Sequence, residues 1–213
     1  LGTDFVAASG TESIPAGSKT REFVADSVIG NLQRQSDRLI KVSLQTSDPN
    51  AQPGVSNALG TILDDDPEPF LSVDSVVAAR DSVPGSRKPM WFHVSLIDPR
   101  TGKPTSSGLP ISFRWRTTDG TAKSGTDYVG AVSTLVLRAS VARDSFAVMS
   151  IGDDRYVVPV SFTVTLDSVR GASAKDSVGL GTILSGVRKP RLAIQGGSDR
   201  KSTRLNSSHA TLS

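Results

Sequence analysis

Apolar and polar residues alternate along much of this chain with a period of two. In Phe162-Thr163-Val164-Thr165-Leu166 the large apolar side chains fall on one face and the threonines on the other. Ile111, Phe113 and Trp115 do the same against Ser112, Arg114 and Arg116, and Phe92, Val94 and Leu96 repeat the pattern around His93. Such alternation is that of half-buried strands. Clusters such as Val83-Pro84-Gly85-Ser86 and Thr118-Asp119-Gly120-Thr121 punctuate the runs as turns. No stretch of ten residues carries a convincing 3.6 periodicity. Many short alternating strands between turn signals predict an all-β, antiparallel β-sandwich.

The pattern also repeats at long range. Gly2-Thr3-Asp4-Phe5-Val6 returns as Gly125-Thr126-Asp127-Tyr128-Val129, and Ile40-Lys41-Val42-Ser43-Leu44 returns as Phe162 to Leu166. Gly60-Thr61-Ile62-Leu63 returns as Gly181-Thr182-Ile183-Leu184. The offsets of 123, 122 and 121 are collinear, so one structural unit occurs twice. Residues 70–187 are expected to form a complete repeat. Residues 1–66 are expected to form the back half of another, without its opening strands and with apolar strand edges exposed. Residues 67–69, Pro67-Glu68-Pro69, form a stiff linker.

Composition narrows the class. Of 213 residues 37% are hydrophobic and none is cysteine, which removes disulfides and thiolate metal sites. No apolar run approaches the 18 or so residues that read as a membrane-spanning helix. The chain opens on Leu1-Gly2-Thr3, as an internal fragment would. The formal charge is +3, but Arg200, Lys201 and Arg204 against Asp199 supply two of those charges. Residues 188–213 are expected to be a disordered tail. Within it DRKSTRLNSSH resembles translated sequencing adapter, so residues 199–213 are set aside from the fold. No stripe of basic and aromatic residues accompanies the charge, and nucleic acid is not an expected partner.

Three adjacent carboxylates, Asp64, Asp65 and Asp66, close the first GTIL block. They repel one another and favour a cation nearby. Catalytic signals are missing. His93 is the sole histidine before the tail, and no nucleophile elbow or phosphate loop occurs. The chain is expected to be no enzyme.

The stretch from Thr118 to Tyr128, TDGTAKSGTDY, resembles the TxDGTAxxGxDY signature of Calx-beta domains. Gly10-Thr11-Glu12-Ser13-Ile14-Pro15-Ala16-Gly17 is similar to that family's GTLTIPAG hairpin, and Ile151-Gly152-Asp153-Asp154 and GTILDDD fit further segments. The resemblance implies Ig-like sandwiches in tandem. It also implies calcium ligands at Asp4, Asp64, Asp65, Asp66, Asp127, Asp153 and Asp154. The ligand sets depart from the family's. Asn31 and Leu32 replace the first repeat's acidic pair, and Gln35 and Arg38 stand at its glutamate positions. Val157 and Val160 replace the second repeat's glutamates, Ser185-Gly186-Val187 its terminal triplet, and the opening-strand glutamate falls near Arg80-Asp81. The expectation is a structural or adhesion spacer of a larger cell-surface or secreted protein, with weak calcium binding at the junction between repeats. Its partners are then neighbouring repeats and a protein or cell-surface ligand, with any membrane contact made through other regions. A calcium-sensing domain of a membrane transporter and an ion-free spacer are the alternatives.

Overall fold

The computed structural model describes residues 4–24 and 26–194, with backbone only at Asp26. Gly2 and Thr3 of the first repeated block and residues 195–213, which include the adapter-like stretch, lie outside the described residues. Thirteen strands make up the described secondary structure: β1 (Phe5–Ala7), β2 (Asp26–Val28), β3 (Arg38–Ser43), β4 (Asn57–Ile62), β5 (Phe70–Val73), β6 (Val76–Ala79), β7 (Arg87–Ile97), β8 (Ile111–Asp119), β9 (Val132–Leu137), β10 (Arg143–Ile151), β11 (Val160–Arg170), β12 (Ser173–Asp176) and β13 (Val178–Leu184). No described residue is helical, so among the described residues no helix is long and apolar enough to cross a membrane.

Strands β5 to β13 form an Ig-like sandwich of two sheets, in the orders β10-β7-β5-β12 and β6-β13-β11-β8-β9. The alternating runs supply its centre. Phe92, Val94, Leu96, Ile111, Phe113, Phe162, Val164 and Ile183 are fully enclosed. Five aromatic rings are linked across the core. Trp115 stacks on Phe146 at 4.2 Å and Phe146 on Phe92 at 5.7 Å. Phe162 meets Phe92 edge-on at 5.9 Å and stacks on Tyr128 at 4.3 Å. Trp91 and His93, on the opposite face of β7, are exposed.

The sandwich is not wholly antiparallel. Strands β5 and β6 are separated only by Asp74-Ser75, yet they join different sheets, β5 parallel to β12 and β6 parallel to β13. The Asp74 N–H donates to the His93 carbonyl at 3.0 Å, and Ser75 Oγ accepts the Leu180 N–H at 3.0 Å. These bonds anchor the chain to one sheet just before the step and to the other just after it, which a period-two pattern does not encode.

Residues 4–66 form two small antiparallel sheets, β1-β2 and β3-β4. Their register is that of the sandwich. Arg38, Ile40 and Ser43 pair with Ile62, Gly60 and Asn57, as Val160, Phe162 and Thr165 pair with Ile183, Gly181 and Val178. Phe5 pairs with Val28 as Tyr128 bridges Ser150. Even the next bond is copied: the Leu44 N–H donates to Ser56 and the Leu166 N–H to Ser177, each at 2.7 Å. The shared glycine has a packing cause. A Cβ on Gly181 would lie 2.4 Å from the Phe162 ring, and one on Gly60 would lie 2.9 Å from the Ile40 side chain. Unlike the sandwich, this half leaves Leu39, Leu59 and Leu63 about 70% exposed.

Candidate functional site

Asp4, Asp64, Asp65 and Asp66 come together. With Asn31, Gln35 and Arg38 they line one cleft of about 60 Å³ at the end of β1 and β4. The Asp4 carboxylate accepts an ion pair from Arg38, whose other nitrogen donates to Gln35. Asp37 accepts the Asp64 N–H at 3.0 Å, which fixes the start of the acidic run. Asp65 is exposed.

Asp66 is paired with a residue from outside the cleft. Its side chain is almost fully buried and accepts a bond from Arg100 Nη2 at 2.9 Å. Arg100 is aimed by its own loop, because Asp98 accepts the Arg100 backbone N–H at 2.8 Å and lies 3.5 Å from its Nε. That backbone N–H, with the nearby guanidinium, holds the Asp98 carboxyl below the ordinary carboxylate range. Two further bonds cross at this place. Gln33 Nε2 donates to Ser106 Oγ at 2.6 Å, and the Gly108 N–H donates to the Arg34 carbonyl at 2.8 Å. Arg34 also pairs with Glu68 of the linker at 2.5 Å.

Asp127 lies at one end of the sandwich. Its Oδ1 accepts a bond from Arg80 Nη2 and its Oδ2 one from the Lys123 N–H, both at 2.8 Å. Arg80 is 3% exposed. Asp153 accepts from the backbone and side chain of Arg155 at 2.9–3.2 Å, and this pairing lowers its carboxyl from the usual value. Asp154 is exposed.

Calcium takes six to eight oxygens at about 2.3–2.6 Å. Four of the seven expected ligands, Asp4, Asp66, Asp127 and Asp153, are instead neutralised by an arginine each. Among the described residues no three His, Cys, Asp or Glu side chains converge to hold a metal ion. The residues present do not fit a calcium cluster.

Arg100 and Arg155 are partners that sequence reasoning missed. For Asp153 the Asp-x-Arg spacing to Arg155 was a usable signal, whereas the same spacing at Asp98 and Arg100 gives the loop and not its reach to Asp66. Arg114 and Arg116, which flank Trp115 as a small basic face, share Asp167 at 2.6 and 3.2 Å.

The GTDY loop has a second anchor. The Tyr128 hydroxyl donates to Asp119 Oδ1 at 2.7 Å, and the same oxygen accepts the Ser124 N–H at 2.9 Å. Burial first, and then this bond, push the Tyr128 phenol up to about 12. The folded-state pKa is raised, so the stability it brings is complete below pH about 10 and lost as pH rises through about 12. Ultraviolet titration is expected to show a late phenolate step that Tyr128→Phe removes. Complete ionisation near pH 10 would mean that the ring is open to water.

No protein-family model and no curated protein matches the chain. In fold it is similar to three solved structures of Calx domains. The apo-form Calx CBD1 domain is 21% identical over 55% of this chain and 97% of its own, with a TM-score of 0.40. CBD12 from CALX1.2 is 22% identical over 55% of this chain and 45% of its own, with a TM-score of 0.44. The calcium binding domain CBD12 of CALX1.1 is 19% identical over 63% of this chain and 53% of its own, with a TM-score of 0.46.

Proposed function

We propose that the chain is a non-enzymatic segment of a tandem β-sandwich array. In this reading, residues 1–66 are the back half of one unit and residues 70–187 a complete copy of it, within a larger surface or secreted protein, serving as a structural or adhesion spacer. Its immediate partners are neighbouring repeats. The observation that carries the reading is the shared register of β3-β4 and β11-β13, down to the glycine opposite Ile40 and Phe162. The bonds Asp66 to Arg100, Gln33 to Ser106 and Gly108 to Arg34 add a stitched junction, which a spacer needs and a loose linker lacks.

The arginine pairing of the expected ligands favours the ion-free form of the spacer over a calcium sensor. A sensor must change its inter-repeat geometry when the ion binds, through a differential affinity for two states. Small-angle scattering of the chain in millimolar calcium and in chelator separates the two. The expected result is one narrow distribution of inter-repeat distances, identical in both solutions. A distribution that shifts with calcium would replace the spacer reading with the sensor.

A further inference from the structure

We infer that the guanidinium of Arg80 is a built-in cation that takes over, in residues 70–187, the charge balance for which the Asp127 loop otherwise lacks a partner, and so makes this unit's fold independent of calcium. The inference deepens the ion-free spacer reading and rests on it for function, but its geometry is separate from the junction.

Arg80 follows β6, the strand that steps between sheets, and its backbone N–H is held by the Leu184 carbonyl at 3.0 Å. That bond ties it to the last residue of β13 and fixes where its side chain enters. Among the described residues Arg80 is the one cationic side chain that is buried, and Asp127 is buried beside it. A buried charge is tolerated only when paired, so each residue requires the other. Each Asp127 oxygen already holds a partner, Arg80 on Oδ1 and the Lys123 N–H on Oδ2. An ion placed at Asp127 would stand beside the buried Arg80 guanidinium and be repelled by it, and displacing Arg80 would strand that charge inside the fold.

The reach of Arg80 extends past Asp127. Its charge also helps to hold the Asp153 carboxyl down, behind the larger effect of Arg155. The Asp153 N–H donates to the Asp81 carbonyl at 3.1 Å, which brings the IGDD loop against the residue after Arg80. Three segments that are distant in sequence, around residues 80, 127 and 153, thus meet at one internal cation. In the first repeat Arg38 pairs with Asp4, the counterpart of Asp127, but Arg38 stands at the position of Val160. The two repeats neutralise the same aspartate from different segments, one from β3 and one from the loop after β6.

Both tryptophans of the chain, Trp91 and Trp115, lie in residues 70–187, so intrinsic fluorescence reads this unit alone. Thermal melts of the whole chain followed by that signal, in millimolar calcium chloride and in EDTA, test the inference. The wild type is expected to melt at the same midpoint in both. Arg80→Glu removes the cation and adds a carboxylate, so its midpoint is expected to fall in EDTA and to recover in part with calcium. Arg80→Gln, which keeps a polar side chain but not the charge, is expected to fall by on the order of 10 °C. If Arg80→Glu fails to fold in either solution, Arg80→Gln decides alone. A calcium-dependent rise in the wild-type transition overturns the inference, as does a wild-type midpoint in Arg80→Gln or a folded Arg80→Glu blind to calcium. Failure of the scattering experiment with these melts unchanged would remove the spacer and leave the internal cation standing.

Discussion

Phe162→Ala is expected to cost about 3–5 kcal/mol of stability, the upper range for truncating a buried aromatic side chain. Phe162 is fully enclosed between two ring neighbours, stacked on Tyr128 and edge-on to Phe92. Across the strand pair its ring covers Gly181, which has no side chain to move into the space left behind. The neighbours Val164 and Ile183 sit on β-strands whose ladders hold them in place. Partial collapse therefore recovers little, and the cavity persists. Urea unfolding followed by tryptophan fluorescence measures the loss. A change below about 1 kcal/mol would show that the aromatic series is not the keystone of the sandwich.

Asp127→Ala should cost a similar amount for an unrelated reason. It leaves the Arg80 guanidinium buried without a counter-charge and the Lys123 N–H without an acceptor. Breaking one side of a buried pair costs about 3–5 kcal/mol. Exposed pairs such as Arg143 with Asp74 are worth at most about 1 kcal/mol, since solvent screens them. The double replacement Arg80→Met with Asp127→Leu is expected to recover much of the loss, because no charge then remains to be paired. The same unfolding assay decides. An Asp127→Ala loss no greater than that of Asp74→Ala would place the pair in water.

The sandwich was legible where period-two alternation coincided with burial. Phe162, Val164 and Leu166 are buried, and Thr163 and Thr165 on the opposite face are half-exposed, as the pattern requires. The parallel pairs β5-β12 and β6-β13 were not legible, since a two-residue step between sheets leaves no periodic trace. The acidic residues were found as residues but not as pairs. Asp66 meets Arg100 and Asp127 meets Arg80 only because the fold brings distant segments together, and local pattern holds no such distance. The departures at Arg38 and Arg80 were the partial exception, because an arginine at an expected ligand position already reverses the sign of the site.

The common register of the two hairpins has a consequence for how the chain reaches its native state. Each strand of one hairpin is a legal partner for the opposite strand of the other, glycine gap included. Tandem repeats of this kind misassemble by strand exchange. What opposes exchange here is the order in which chain segments meet. Native pairing of β3 with β4 closes residues 44–56, whereas a swapped β4-β11 pair must close residues 63–159. That difference in loop entropy is about 2 kcal/mol in favour of the native partner. During synthesis β4 finds β3 before β11 exists, so an unfolded full-length chain faces a competition that the growing chain never meets.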